Sequence, residues 1–453
     1  MRAALLVTAV LTAGLAQAGA PVPPREHPVL RDIAAAVDPA ALQVTLTTLV
    51  GFGTRHTLSD TQSATRGIGA ARAWVQSRFA AISHDCGGCL EVLTPSQVFN
   101  GDRLPKEGAS VMDVVAVQKG SVDPGRYVIM TAHLDSRVSD PMNATADAPG
   151  ADDDGSGVAA VLEAARVLSK YKFDATIVYG VLSGEEQGLY GGKLLAQYAK
   201  DHGWRVEGDL NNDIVGNIEG GNGIIDDTTV RVFSEGTRAL ETADDANYRR
   251  YHGGEVDSPS RNLARYTAML GEQYVPNWHV KLVYRTDRYG RGGDHVAFNQ
   301  LGYPALRVTE ANENYARQHQ DVRTEGGVAY GDVLAGVNFP YLAKVTAMNA
   351  VTLAALAWAP PPPVGVDLAG AVTPDTVLKW QRLEGAATRD LAGYRVCWRA
   401  TTEPGWSRGL FVGDATDYTL KDVSIDDYFF GVASVSKDGF ESPVVFPGVS
   451  GAF

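Results

Sequence analysis

Histidines and carboxylates follow the apolar segments of this sequence that are typical of buried strands. The six residues are His133 and Asp135 after "YVIMTA", Glu185 and Glu186 after "TIVYGVLS", Asp213 in "LNNDIVGN" and His295 in "GRGGDHVAF". In open α/β sheets, ligands bind beyond the carboxyl ends of the strands, so we expect these side chains to converge. Imidazole and carboxylate are the usual non-thiolate ligands of zinc. The pattern therefore predicts a site for one or two Zn²⁺ ions.

Three consecutive aspartates, Asp152 to Asp154, lie in "GADDDGSG" just before the helical run "VAAVLEAARVLSK". An aspartate at the start of a helix is commonly an N-cap, and three adjacent like charges repel one another. Two bound dications would make such a cluster favourable, because one carboxylate can bridge both ions. Taken singly, a histidine at a strand end is more often a polar surface group, and "EE" a solvated pair. The joint pattern is what favours a metal site.

The surrounding elements predict an α/β domain with a largely parallel sheet, because buried-strand segments alternate with helical ones. Near residue 358 the pattern changes to period-two alternation with turn signals, which is typical of a β-sandwich. Pro360 to Pro363 separate the two regions and predict a stiff linker. We therefore expect a first domain over residues 19–358, a linker over 359–363 and a small all-β domain over 364–453.

The amino terminus, "MRAALLVTAVLTAGLAQAGAPVPP", has a basic residue, an apolar stretch and a small-x-small motif that ends at Ala18. This arrangement predicts a signal peptide over residues 1–18 and a secreted or periplasmic protein. In an exported chain, Cys86 and Cys89 are expected to form a small structural disulfide, and Cys397 a packed thiol. No later run predicts a membrane span. The formal net charge of -13 argues against nucleic-acid binding.

Five motifs resemble, in order and spacing, the secreted di-zinc aminopeptidases of the bacterial leucyl aminopeptidase type, with glutamate carboxypeptidase II and the glutaminyl cyclases as more distant relatives. The motifs are "AHLDS", "GADDDGSG", "SGEEQGLYGG", "NNDIVG" and "GGDHVAF". This resemblance covers roughly residues 40–357. The resemblance implies a mixed, largely parallel sheet flanked by helices. The segments "LKW", "YRVCW" and "YFFGVASVSKDGFES" of the second domain resemble a fibronectin type III domain.

The resemblance implies two Zn²⁺ ions per chain and assigns a role to each motif. It gives the first ion Asp153, Glu186 and His295, and the second ion His133, Asp153 and Asp213. Asp153 is the bridging aspartate because it lies at the family's interval after His133. Asp135 would orient the ring of His133, and Glu185 would act as the general base. The family often has a cis peptide bond after the bridging aspartate, which corresponds here to the Asp153–Asp154 bond.

The implied activity is hydrolysis of N-terminal residues from peptides or proteins by a zinc-activated water, in an enzyme that we expect to be a monomer. Tyr289, Glu310, Tyr315 and His319 are candidate substrate-pocket residues, with loop packing as the alternative role. Two other functions are open. One is a glutaminyl-cyclase-like acyltransferase with one zinc, and the other is an inactive peptidase-like binding protein.

Overall fold

The structure, a computed structural model, describes residues 22–453, so the expected signal peptide lies outside the described residues. The α-helices of these residues are α1 (Pro28–Ala35), α2 (Pro39–Gly51), α3 (Gly67–Asp85), α4 (Gly155–Leu168), α5 (Glu185–Gly188), α6 (Tyr190–Asp201), α7 (Ala243–His252), α8 (Pro259–Tyr274), α9 (His295–Gln300) and α10 (Phe339–Trp358).

The strands of the larger, amino-terminal domain are β1 (Leu90–Leu93), β2 (Ser96–Phe99), β3 (Ala109–Met112), β4 (Val114–Gln118), β5 (Asp123–His133), β6 (Ala175–Leu182), β7 (Arg205–Asn212), β8 (Thr229–Ser234), β9 (His279–Val283), β10 (Ala305–Glu310), β11 (Arg323–Glu325) and β12 (Val328–Tyr330). Those of the carboxy-terminal domain are β13 (Val364–Ala369), β14 (Thr376–Gln381), β15 (Leu391–Ala400), β16 (Arg408–Gly413), β17 (Asp417–Leu420) and β18 (Tyr428–Ser436).

An eight-stranded mixed sheet forms the centre of the larger domain, in the order β1-β4-β6-β5-β7-β10-β8-β9. The four neighbours β6, β5, β7 and β10 run parallel to one another. Every residue of β6, "ATIVYGVL", is buried, as expected of a β-branched central strand that is covered on both faces. The parallel centre directs the carboxyl ends of four strands to one edge of the sheet, as the sequence predicts.

Helices α4 and α10 cover the sheet and are apolar on almost every side, which is typical of helices buried within a large core. Helix α10 packs against α1, α4 and α8. Among residues 22–453, α10 is the single helix that is long and apolar enough to cross a membrane. The bent pair α1 and α2 would be long and apolar enough only if the two helices are taken together. However, 78% of the apolar window of α10 is buried within the fold, so core packing accounts for its composition.

The carboxy-terminal domain consists of two three-stranded antiparallel sheets, β13-β14-β17 and β16-β15-β18. Their inward-facing residues form a separate core that includes Trp380, Tyr394, Val396 and Phe430. The Tyr394 hydroxyl accepts a hydrogen bond from the Leu383 amide at 3.0 Å, which satisfies its polar end within that core. This arrangement agrees with the predicted fibronectin type III-like sandwich.

The proline segment between the domains packs against both of them. Pro360, Pro362 and Pro363 are buried. Arg126 of the larger domain donates to the carbonyl of Ala359 at 2.6 Å. On the other side, the Ser434 hydroxyl of the sandwich donates to the carbonyl of Pro361 at 2.7 Å. The segment is therefore held from both sides, which its composition alone does not reveal.

A buried ion cluster joins the two domains. Asp257, which has no exposed surface, accepts from Arg265 of α8 at 2.8 Å and from Arg399 of β15 at 2.8 and 3.0 Å. Beside it, the Trp406 indole donates to Asn262 at 3.1 Å. Asp257 is therefore the shared counter-charge of two buried arginines, one from each domain, and helps to hold the sandwich against α8.

The cysteines are paired as the sequence predicts. Cys86 and Cys89 form a disulfide just after α3. Cys397 is a free thiol buried in β15, where burial raises its pKa to about 12. A thiol with that pKa stays protonated at neutral pH, so it behaves as a packed apolar group.

Replacement of Asp257 by alanine should destabilise the protein by about 3–5 kcal/mol, because it leaves two buried arginines without their counter-charge. Denaturant unfolding followed by tryptophan fluorescence measures this loss. The control is Asp414→Ala, which breaks the exposed pair with Arg382 and should cost less than about 1 kcal/mol. Equal effects of the two substitutions would contradict the role of Asp257.

Candidate metal centre

The parallel strands bring the motif residues together at their carboxyl ends. His133 is the last residue of β5 and lies opposite Leu182 at the end of β6. Asp213 follows directly after β7. The turn after β6 begins α5 with Glu185, and one ligand atom from each of His133, Glu185 and Asp213 lies within 4.8 Å of the others.

Asp153 lies between two histidines. Its Oδ1 is 3.2 Å from Nε2 of His133, and its Oδ2 is 2.9 Å from Nε2 of His319. Oε1 of Glu186 is 3.1 Å from the same His319 nitrogen. Asp153, Glu186 and His319 thus form a second group of possible ligand atoms within 4.8 Å of one another. The two oxygens of Asp153 face the two groups separately, which is the geometry of a bridging carboxylate.

The neighbouring Asp154 organises the backbone around this carboxylate. It caps α4 by accepting from the Gly157 amide at 3.0 Å, and it also accepts from the amides of His133 and Ile214 at 3.0 and 3.3 Å. A side chain at Gly157 would place its Cβ 2.5 Å from Asp154 Oδ1, so only glycine fits. The peptide bond between Asp153 and Asp154 is cis, as the resemblance implies.

Two residues that the sequence analysis did not identify support the aspartate loop. Asp332 accepts from the amides of Asp152 and Asp153, both at 2.8 Å. Arg55 is completely buried and donates to the carbonyls of Leu134 and Gly150 at 2.7 and 2.8 Å. Arg55 thereby ties the loop after β5 to the loop before α4, and it supplies positive charge beneath the acidic cluster.

Asp135 lies next to His133, as predicted, but holds its ring in a different way. Nδ1 of His133 lies 3.0 Å from the main-chain carbonyl oxygen of Asp135, whereas the carboxylate is 3.6 Å away. That carboxylate accepts from the amides of Glu185 and Glu186 at 3.3 and 3.1 Å and from the Thr57 hydroxyl at 3.0 Å. Asp135 therefore positions the two glutamates as well as the histidine.

His295 does not join the cluster, contrary to the sequence-based expectation. It is fully buried at the start of α9, where its Nε2 lies 2.9 Å from the carbonyl oxygen of Thr286. Asp287, 3.7 Å away, is the carboxylate beside it, and neither group of possible ligands includes His295. His319 takes the expected place, because the loop after β10 folds back over the ends of the strands.

The other pocket candidates are distributed unevenly. Tyr289 is 88% exposed and does not line the cavity at the cluster, so its side chain is not positioned to contact a substrate there. Glu310 is fully buried behind the cluster near Asp152, away from that cavity. Tyr315 lies at its rim and is 66% exposed. His319 is the one of these four that the structure places among the possible ligands.

The site concentrates buried carboxylates that a bound cation would stabilise. Nε2 of His133 and Oε1 of Glu186 are buried and make no well-directed hydrogen bond among the described residues, although Asp153 and His319 lie only 3.2 and 3.1 Å from them. Burial favours the neutral form of His319, but Glu186 and Asp153 outweigh it and raise the pKa of that imidazole to about 10. Burial also raises the pKa of Glu185 well above its usual range, with His133 opposing and Asp213 and Glu186 adding to the effect.

The donor set fits zinc. Imidazole nitrogens and carboxylate oxygens are its ligands at about 2.0–2.2 Å, so two ligands of one ion lie about 3.3 Å apart. The separations around Asp153, 2.9 to 3.2 Å, are close to that value. Arg137 donates to the other oxygen of Glu186 at 2.8 Å and so fixes its orientation. Asp153, Glu186 and His319 could hold one ion, and His133, Asp153 and Asp213 another.

Comparisons with known proteins identify relatives of this chain. The model of peptidase family M28 matches residues 113–325. A probable zinc metalloprotease of Pyrenophora tritici-repentis is 43% identical over 431 residues, which cover 94% of this chain and 88% of that protein. One from Leptosphaeria maculans is 44% identical over 408 residues, which cover 90% of this chain and 94% of the relative.

The fold also has solved counterparts. The crystal structure of the LapA aminopeptidase of Legionella pneumophila aligns with 74% of this chain and 77% of its own, with a TM-score of 0.53 and 21% sequence identity. At that identity the likeness concerns the fold. The match to the family model and the extended similarity to these two relatives show that the chain belongs to peptidase family M28 and is a metalloprotease of that family.

Proposed function

We propose that the protein is a di-zinc aminopeptidase that removes N-terminal residues from peptides or proteins. The observation that carries the proposal is the position of Asp153, whose two oxygens face His133 and His319 at 3.2 and 2.9 Å. One carboxylate shared between two sets of ligands is what a pair of adjacent metal ions requires. A single-zinc acyltransferase would not need His133 and Asp213 as a second set.

The proposed ligands are Asp153, Glu186 and His319 at the first position and His133, Asp153 and Asp213 at the second. When bound there, zinc would polarise the scissile carbonyl and lower the pKa of a water molecule. The protein's part is to hold these side chains before the substrate arrives. Arg137 fixes Glu186, the Asp135 carbonyl fixes the ring of His133, and the Asp332 carboxylate fixes the backbone of Asp153.

Glu185 is the proposed general base. It is partly buried, its amide is held by Asp135 at 3.3 Å, and its carboxylate belongs to the group with His133 and Asp213. Burial makes it a stronger base than an exposed glutamate, although nearby cations would lower its pKa again. In the proposed reaction, Glu185 takes a proton from the attacking water and delivers it to the nitrogen of the leaving amine.

We also propose that the protein is exported. The amino-terminal pattern that ends at Ala18 and the disulfide between Cys86 and Cys89 support a secreted or periplasmic protein. Mass spectrometry of the mature protein from its native host would test this, because export predicts an amino terminus near residue 19.

A panel of substrates with free and blocked amino termini tests the exopeptidase activity. The zinc-loaded protein should hydrolyse aminoacyl-anilides and peptides with a free N-terminus, and it should lose this activity in a chelator and regain it with zinc. N-acetylated versions of the same substrates should resist hydrolysis. Release of internal fragments, or equal cleavage of acetylated peptides, would overturn the aminopeptidase assignment.

The substitution Glu185→Gln should reduce kcat by about 10²–10⁴-fold, because it removes the proton acceptor and leaves a side chain of nearly the same shape. Zinc content by elemental analysis should stay at the wild-type value, since Glu185 is not one of the proposed ligands. A variant with wild-type turnover would remove Glu185 from its proposed role, whereas loss of zinc would make it a ligand.

His319→Ala and His295→Ala form a matched pair that separates the two candidate ligands. His319→Ala should lower the bound zinc from two ions to one and abolish most activity, because it removes a proposed ligand. His295→Ala should keep two ions and lose thermal stability, because it removes the ring that bonds to the Thr286 carbonyl. Dialysed protein and elemental analysis give the metal count, and the opposite pattern would restore His295 as the ligand.

A further inference from the structure

A cavity of about 500 Å³ opens at Asp153, Glu185, Glu186 and Asp213, and its walls are unusually basic. Four arginines line it, namely Arg103, Arg137, Arg288 and Arg291. Leu189 and Tyr315 are the large apolar side chains among its lining residues. Such a cavity offers little to a large aliphatic side chain, because pockets for apolar groups are lined mostly by apolar residues.

Arg137 is already occupied within the protein. Its Nε donates to Glu186 at 2.8 Å, and its Nη2 lies 2.6 Å from Nδ1 of His319. Its remaining Nη1 donates to the carbonyl of Val138 at 3.2 Å. Arg137 is therefore a positioning residue for two proposed ligands and is not available to a substrate.

Arg288 has a free donor. Its side chain is 9% exposed, its Nε donates to Asp287 at 3.0 Å, and its Nη2 donates to the carbonyl of Gly292 at 3.2 Å. Its buried Nη1 has no hydrogen-bond partner among the described residues. Because Arg288 also lines the cavity, a ligand that enters it could supply the acceptor that this buried N–H lacks.

Arg291 lies beside Arg288, and both arginines share Glu313 as a counter-charge. One carboxylate does not balance the two positive charges. Nη1 of Arg291 is 3.3 Å from Glu313, and Nη1 of Arg288 is 3.7 Å from the same oxygen. The other oxygen of Glu313 accepts from Arg231 at 2.9 Å. One carboxylate thus faces three arginines. Arg291 is also more accessible, with 35% of its side chain exposed.

The other carboxylates nearby do not balance the positive charge of these arginines. The fully buried Arg307 contacts Asp213 at 3.0 Å and Asp287 at 3.3 Å, and Arg288 shares Asp287. If Asp213 binds zinc, as the proposed function requires, its charge is committed to the metal. Asp287 and Glu313 are then the only two carboxylates of residues 22–453 that face Arg231, Arg288, Arg291 and Arg307. The side of the cavity that Arg288 and Arg291 line therefore has an excess of positive charge.

We propose that this basic wall, with Arg288 and Arg291 as its donors and Arg103 at the rim, selects substrates that have a carboxylate close to the scissile bond. The inference rests on the proposed function and names its substrate class. Guanidinium groups bind carboxylates through charge-assisted hydrogen bonds, which are stronger than those to a neutral amide. The carboxylate has two possible sources: an acidic side chain on the N-terminal residue, or the free carboxyl terminus of a dipeptide.

Two pairs of near-isosteric substrates separate these sources. The first pair is glutamyl-anilide and glutaminyl-anilide, and the second is leucyl-leucine and leucyl-leucine amide. In the pair whose carboxylate the arginines recognise, we expect the charged member to have a kcat/KM at least about tenfold higher than its neutral partner. That ratio corresponds to the gain of one charge-assisted hydrogen bond. Arg288→Gln and Arg291→Gln should each reduce that ratio towards one. The control Arg285→Gln, on the same loop but stacked over the exposed Tyr289 and outside the cavity, should retain it.

A preference in the first pair assigns the carboxylate to the side chain, and one in the second assigns it to the free terminus. Ratios near one in both pairs for the wild-type protein would overturn the proposal, as would ratios that both arginine variants preserve. Hydrolysis of leucyl-anilide reports separately on the proposed function. If no substrate is hydrolysed, calorimetry still tests the proposal by comparing the binding of glutamate with glutamine and of leucyl-leucine with its amide. Equal affinities within both pairs would refute carboxylate selection.

Discussion

The burial of many carboxylates at one edge of the sheet is the constraint on which the rest of the structure depends. Asp135, Asp153, Glu186 and Asp213 have almost no exposed surface. The three aspartates each lie within 3.9 Å of His133, and Glu186 shares His319 with Asp153. Buried like charges are costly unless each has a donor or a cation. The fold meets this requirement with three kinds of positive group: backbone amides, buried arginines and, in the proposed enzyme, two metal ions.

Backbone amides account for the run of three aspartates. Asp154 accepts from three amides and caps α4, while Asp152 accepts from the Gly216 amide at 2.7 Å. Asp153 is left to face the two histidines. Because successive residues point in different directions, the three charges divide into separate environments. The repulsion suggested by the sequence is thereby reduced without removing any of the three carboxylates.

Much of this site could be predicted because its chemistry lies next to local signals. His133, Glu185 and Asp213 each follow a buried strand, and the common direction of β5, β6 and β7 brings such residues together. Asp153 precedes a recognisable helix. These positions depend on secondary structure and topology, which hydrophobic patterns report well. The two-domain architecture was accessible for the same reason, because the change from helical to alternating periodicity is visible in the sequence.

The parts that could not be predicted depend on irregular segments and distant contacts. His319 lies in a loop without regular periodicity, with a left-handed φ of 52°, so its approach to Asp153 has no local signal. His295 has a more suggestive sequence context, but tertiary packing turns its ring towards Thr286. Arg55 supports the aspartate loop from about eighty residues away, through main-chain carbonyls that any residue could supply. The buried proline segment is a similar case, since its stiffness follows from composition and its packing does not.

The two sides of the cavity have different physical tasks, and this difference explains how arginines and carboxylates can coexist there. The acidic side is rigid because amides, Arg137 and Asp332 determine the direction of each oxygen. A side held in this way would bind the proposed cations without rearrangement, which is the condition for efficient electrostatic catalysis. The basic side retains an unpaired donor on Arg288 and a weakly compensated charge on Arg291. Cations that neutralise the acidic side would leave the field of these arginines uncancelled, so the same metal ions that enable the chemistry would also make the cavity attractive to an anionic substrate.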